Sequence, residues 1–278
     1  MNQKHFITSL IRLCIKNPKF FLLALLLGGL FYAYEFFYAR NTMVFAGIPS
    51  SKEHFTRIFR NDAYMVGYSD SKNNPLWVVY KLTSPDKNAP HLKRPENFKS
   101  DWRNFGLVTH EDYTHSGYDR GHMAPNHAIA LLYGKEAQRQ TFLMTNITPQ
   151  KSILNQNLWQ FLEEIELYKF TNNAKELWVF TGPLFDRKIK YLKKTSPIEI
   201  PDAFYKIYIK IEQSGHIKTL SFIIPQTVKS NEKLETYIVS IDEVEKQSGF
   251  DFLKELDAQL EESVEAKKGV LNDWLATN

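Results

Sequence analysis

Cysteine is almost absent from this 278-residue chain, and the single one, Cys14, lies within the first forty residues. The rest can form no internal disulfide and no thiolate zinc site, so its stability must come from an apolar core or a bound hard metal. Zinc-protease spacing is missing too: His110 and His115 in HEDYTH are five apart, about 140° apart on a helix, where that chemistry needs four. There is no GxxxxGK[ST] phosphate loop and no GxSxG nucleophile elbow. Internal repeats and low-complexity linkers are also lacking, which favours one α+β domain over residues 41–278.

An overall basic excess disappears on inspection. The formal charge of +4 comes from 35 Lys/Arg against 31 Asp/Glu, and residues 1–40 hold five of those bases and one acid. The remainder is formally neutral, so net charge gives no support for a polyanionic partner.

What is present begins with FFLLALLLGGLFYAYEFFYA at 20–39, apolar or aromatic except for Glu35. Twenty helical residues span about 30 Å, the hydrocarbon thickness of a bilayer. A cleaved signal peptide has a shorter apolar core and a small-residue cleavage site, and YEFFYARN offers none. An uncleaved transmembrane anchor is therefore expected. Lys4, Arg12, Lys16 and Lys19 precede it without an acid, placing residues 1–19 in the cytoplasm as a basic leader. The chain beyond would face a periplasm, the cell exterior or an intermembrane space.

Alternation in AYMVGYSDS and LWVVYKLTS around KNNP predicts a hairpin over 63–84, and FYKIYIKIE with IKTLSFIIP predicts another over 204–225. A polar, proline-broken loop fills 85–116. Apolar residues 154, 158, 161, 162, 165 and 168 recur at helical spacing, predicting one buried stripe. ELWVFTGPL reads as a short buried strand, and the acidic C-terminal segment as two helices separated at Gly249.

The chemistry concentrates in GYDRGHMAPN at 117–126. His122 can accept a proton near neutral pH, Arg120 can carry positive charge to a phosphate, and Gly121 permits close backbone approach. That trio suits phosphodiester attack, in which a base activates water and cations stabilise the phosphorus oxygens. Four letters alone fit a surface turn equally well.

Further motifs in fixed order narrow the reading: KRPENFKSD at 93–101, MTNITPQKSILNQNLW at 144–159, VFTGPLF at 179–185 and YIVSIDEVEKQSGFDF at 237–252. With YDRGHMAP they make the chain resemble the DNA/RNA non-specific endonucleases, the ββα-metal nucleases related to endonuclease G, from about Tyr64 to Leu256. The resemblance implies a ββα-metal (His-Me finger) α+β fold, its mixed or antiparallel sheet flanked by helices. It implies that His122 is the general base, Arg120 a phosphate-contacting cation, and Asn155 the direct ligand of Mg²⁺ or Mn²⁺. Asn146 would support the site and Glu163 would hold metal-bound water. Arg94 resembles the family's upstream arginine, with Arg103 as a rival. The implied activity is hydrolysis of DNA and RNA leaving 5′-phosphates. A catalytically silent nucleic-acid binder and a phosphodiesterase on another substrate stand as alternatives, and a homodimer and an inhibitor protein stay open.

Arg187, Lys188, Lys190, Lys193 and Lys194 form the densest basic cluster beyond residue 40, either a strand-tracking surface or a solvated loop. Trp159 and Trp178 are expected in the core, and His127 as a structural neighbour of His122.

Overall fold

The computed structural model describes residues 16–86, 88–186, 188–229 and 231–275, and the chain divides into two compact units, Met1–Thr42 and Met43–Asn278. Lys4, Arg12 and Cys14 lie outside the described residues, and so does Arg187. In the first unit, helix α1 (Pro18–Tyr34) starts on a proline in its first turn and runs on into a wider π turn at Glu35–Ala39. The helix is long and apolar enough to cross a membrane, properties that an N-terminal signal sequence shares.

The second unit is built on a seven-stranded antiparallel sheet. Its strands are β1 (Arg57–Arg60), β2 (Tyr64–Ser69), β3 (Asn74–Leu82), β6 (Ala174–Leu184), β9 (Ala203–Glu212), β10 (Ile217–Pro225) and β11 (Ile238–Val239), in the order β1-β2-β3-β6-β9-β10-β11, and a short ribbon of β7 (Tyr191–Lys193) and β8 (Ser196–Glu199) lies outside it. Both expected hairpins form: β2 pairs β3 with Met65 opposite Val79, and β9 pairs β10 with Ile207 opposite Ser221. Side chains of a strand alternate between faces, and here both faces are covered. Val78, Tyr80, Val179, Phe204 and Tyr208 join one core, while Trp77, Val79, Phe180, Tyr205 and Ile207 join another. Trp159 belongs to the first core and Trp178 to the second, as expected.

The inserted chain between β3 and β6 carries the ribbon β4 (Asp119–His122) and β5 (Ile147–Gln150), with α2 (His110–Tyr113) before it and α3 (Asn126–Thr141), broken at Gly134, between its strands. Helix α4 follows, with π turns at Leu154–Trp159 and Glu166–Phe170 around an α segment Gln160–Ile165. It packs into the first core through Leu154, Trp159, Leu162, Leu167 and Phe170. The stripe expected from the sequence is only half right, because Phe161 and Tyr168 point outward. A π turn holds more than 3.6 residues, so each one moves the buried face off the simple helical period.

Lys206, although charged, is wholly buried on β9. Its Nζ lies 2.7 Å from Glu166 Oε2 of α4, and the hydroxyls of Tyr80 and Tyr208 donate to the same carboxylate. Removing one partner of such a pair costs about 3–5 kcal/mol, since the other charge stays buried. The network therefore fixes the rotation of α4 on the sheet.

Helices α5 (Ile241–Ser248) and α6 (Ala258–Glu265) cover the other face through Ile241, Val244 and Val264, and α7 (Asn272–Leu275) follows. The Ser240 hydroxyl caps α5 by accepting from Glu243 N, and Gly249 ends it in a left-handed conformation. The expected break at Gly249 is present, and the second helix begins only at Ala258.

Candidate active site

Strand β4 pairs with β5, with Gly121 opposite Thr148 and His122 opposite Ile147. Gly121 is required by packing: a Cβ there would lie 2.1 Å from Gln150 Oε1 and 2.5 Å from its Cγ, and Gln150 is fully buried. Alternation along β4 places Arg120 and His122 on one face, both against the ring of Phe98. The loop carrying Phe98 is tied down by Lys99, whose N–H donates to Phe142 O and whose C=O accepts from Met144 N.

A cavity of about 530 Å³ opens between this ribbon and α4, and His122, Arg120, Arg94, Asp119, Asn155 and Glu163 all line it. The imidazole of His122 sits between Phe98 at 5.3 Å and the edge of Phe142 at 5.0 Å, and its Nε2 is buried without a hydrogen-bond partner. Burial first, and the charge of Arg94 second, lower its pKa to about 3. The ring is neutral at physiological pH, with one nitrogen unengaged.

Of the two arginines left open by the sequence, Arg94 lines the cavity, its guanidinium 5.3 Å from the Phe142 ring. Arg103 is spent elsewhere, donating to both oxygens of Asp101 and to Asn61 Oδ1. Arg120 gives one nitrogen to His110 O and Thr114 Oγ1, and its Nε is buried without a partner. Burial lowers the pKa of this guanidinium, which keeps its charge and is poorly solvated.

Asn155 lies in the first π turn of α4. Its Nδ2 donates to Asp119 Oδ2 at 3.0 Å, the same carboxylate that accepts from Gln156 Nε2 and Ser152 Oγ. That bond settles which end of the amide is oxygen, and Oδ1 accepts no hydrogen bond among the described residues. Glu163 is half-buried lower on the same helix. Burial and the nearby Glu166 push its pKa up to about 8, while Lys206 and Arg94 act the other way. One free amide oxygen and a carboxyl group that burial keeps protonated until a further cation approaches fit a hard divalent cation that completes its shell with water and phosphate.

Asn146 is placed differently. It is fully buried, donates to Ala124 O and Thr141 O, and accepts from Ala124 N. It does not line the cavity, and its bonds hold the backbone at Ala124, two residues after His122. The described lysines of the basic cluster do not line the cavity: Lys190 is paired with Asp202 at 2.6 Å and Lys193 donates to Glu111 O, while Lys188 and Lys194 are exposed. Sequence reasoning missed Asp119 as a clamp, although it heads the DRGH motif, and it missed Phe98 as the wall behind the histidine. His127 stands on the cavity wall, hydrogen-bonded to Tyr168 at 2.8 Å.

The family model for DNA/RNA non-specific endonucleases matches residues 48–259. A nuclease of Nostoc sp. is 31% identical over 215 residues, 73% of this chain and 76% of its own length. Human mitochondrial endonuclease G is 30% identical over 212 residues, 71% of this chain and 70% of its own. The nuclease of Serratia marcescens is 29% identical over 238 residues, 82% of this chain and 86% of its own. A chain from the crystal structure of the EndoG/EndoGI complex superposes with a TM-score of 0.65 at 23% identity, covering 77% of this chain and 89% of that one, which shows a shared fold.

Proposed function

The chain belongs to the DNA/RNA non-specific endonuclease family, and from that premise we propose that His122 is the general base of its phosphodiester hydrolysis. The observation that carries this is the unengaged Nε2 of His122 in a cavity where Asn155 also offers a free oxygen. His122 takes a proton from water as the water oxygen bonds to phosphorus. The bond from phosphorus to the 3′ oxygen breaks, that oxygen leaves with the bonding pair and takes a proton from solvent water, and the phosphate stays on the 5′ end. Arg120 and Arg94 hold the non-bridging oxygens, on which negative charge builds. Asn155 would hold Mg²⁺ or Mn²⁺ through Oδ1, with Glu163 orienting its waters, and the ion would supply charge stabilisation at the phosphate and the departing oxygen. Asp119 and Asn146 act through position, the first on Asn155 and the second on the strand end that presents His122.

We propose a location as well. Residues 20–39 anchor the chain, 1–19 remain cytoplasmic, and the nuclease unit from about residue 41 faces the other side. Apolar length and the basic flank support this, and protease protection in sealed vesicles tests it.

The mechanism is tested with the full chain in detergent on duplex DNA, single-stranded DNA, RNA and a small phosphodiester, with Mg²⁺, Mn²⁺ or chelator. His122→Ala is expected to cut turnover roughly 10²–10⁴-fold with its melting temperature nearly unchanged. Cleavage at the wild-type rate by folded His122→Ala refutes the base. Turnover confined to the small ester would select the phosphodiesterase alternative.

A further inference from the structure

On the sheet face opposite the core that carries α4, two helices bring three carboxylates together. Asp242 and Glu245 lie on α5 and Glu265 on α6, and one oxygen from each falls within 4.8 Å of the others. Asp242 is exposed and Glu245 half-buried, but Glu265 is only 7% exposed, and its Oε1 is buried without a hydrogen-bond partner. Glu245 Oε1 accepts from Phe252 N at 2.8 Å, and the Leu253 N–H favours the ionised form of Glu265 while leaving its Oε1 without a donor. The strongest charges acting on these two glutamates are all acidic: Asp251, Asp242 and Glu261 on Glu245, and Glu245, Glu261 and Asp242 on Glu265. Lys246, the lysine of α5, is turned to Glu243 at 3.6 Å. A buried carboxylate oxygen with no donor, among like charges, is costly unless a positive charge reaches it.

We infer that Asp242, Glu245 and Glu265 form a second divalent-cation site, of calcium type, that clamps α5 to α6 and is separate from the nuclease cavity. The donors are all oxygens, as hard cations require. Ca²⁺ accepts six to eight oxygens at 2.3–2.6 Å in flexible geometry, which suits carboxylates drawn from two helices, whereas Mg²⁺ demands a near-ideal octahedron at 2.0–2.1 Å. Exposed Asp242 provides the entry. Without an ion, burial raises Glu245 to a pKa of about 7 and Glu265 to about 8, so a shared proton is the rival occupant.

The test uses the full chain in detergent, stripped with chelator and carrying Asn155→Ala to disable the proposed catalytic metal ligand. Melting temperature is followed against CaCl₂ and MgCl₂ at constant ionic strength. Ca²⁺ at about 100 times its midpoint should raise the melting temperature by about 5 °C, and Mg²⁺ by less. Added singly, Glu265→Gln and the surface change Asp242→Asn should each move the Ca²⁺ midpoint upward at least ~10-fold. Because Asp242 is exposed, its variant keeps the test decisive if Glu265→Gln fails to fold. No calcium response in the Asn155→Ala background overturns the inference, as does a response that neither carboxylate change alters. Nuclease activity plays no part in the readout, so failure of the catalytic mechanism would leave this result untouched.

Discussion

Asp119 tests the assembly of the site most sharply, because it lies on β4 and holds three side chains of the chain entering α4 and no others among the described residues. Asp119→Ala removes all three bonds. At a partly exposed carboxylate each contributes at the low end of ~0.5–1.5 kcal/mol, so about 2 kcal/mol of stability and roughly 5 °C of melting temperature should be lost. The larger effect falls on metal use. Once released, the Asn155 amide can turn its NH₂ toward the cavity, and loss of a partner that orients a ligand costs about 10–100-fold in metal affinity. Cleavage of duplex DNA titrated with Mg²⁺ should show a half-saturation point raised by that factor, with the rate at saturating Mg²⁺ within about threefold of wild type. Asp119→Asn keeps an acceptor in place and should shift the midpoint less. An unchanged midpoint in folded Asp119→Ala refutes the assigned orientation of Asn155. A rate that stays low at saturating Mg²⁺ refutes the view that Asp119 acts through position alone.

Two further outcomes follow from the ribbon. The folded pKa of His122 is about 3 against ~6.5 unfolded, so the unfolded chain binds the extra proton between those values. Its contribution to stability is whole above pH ~6.5 and is lost as pH falls toward 3, at up to ~1.4 kcal/mol per pH unit. Melting curves in chelator should show His122→Gln flattening that limb, and an unchanged acid limb would contradict the buried neutral ring. Gly121→Ala should cost about 1–3 kcal/mol through its clash with Gln150, read by urea denaturation. Gln150→Ala in the same chain should recover part of that loss, and no recovery would place the strain elsewhere.

The two hairpins were legible because their alternation has the period of a strand and their turns carry polar residues. The burial of Lys206 leaves no mark in the alternation of its strand, and only the fold brings Glu166, Tyr80 and Tyr208 to meet it. The face of α4 was misjudged for a backbone reason, since π turns leave no mark in apolar spacing. His122, Arg120, Asn155 and Glu163 could be picked out because motif order carries the resemblance, and the fold gathers all four around one cavity. The choice between Arg94 and Arg103 could not be made from spacing. It depends on Asp101, buried against Thr145, capturing the second arginine. Asn146 reads as polar chemistry in sequence because an asparagine that binds only backbone looks the same as one that binds substrate.

For the base proposed at His122 a pKa near 3 is weak, and the cause of that weakness indicates how it would be strengthened. Burial lowers the His122 pKa most, and Arg94 lowers it further by disfavouring a second positive charge nearby. A phosphodiester held by Arg94 and Arg120 brings a negative charge against the same ring. At ~5 Å and an effective dielectric of about 20, one charge contributes roughly 3 kcal/mol, about two pKa units. His122 should therefore rise to about 5 when an anionic substrate binds, so that proton affinity appears together with the bond to be cut. The ring signals of His122, followed by NMR across pH in chelator, would read this directly. A phosphorothioate dinucleotide, which keeps the charge, should raise the pKa by one to two units, and a neutral methylphosphonate should leave it near 3. Equal shifts with both ligands would show that displaced water, and not charge, controls the base. No shift with either would remove His122 from contact with the phosphate.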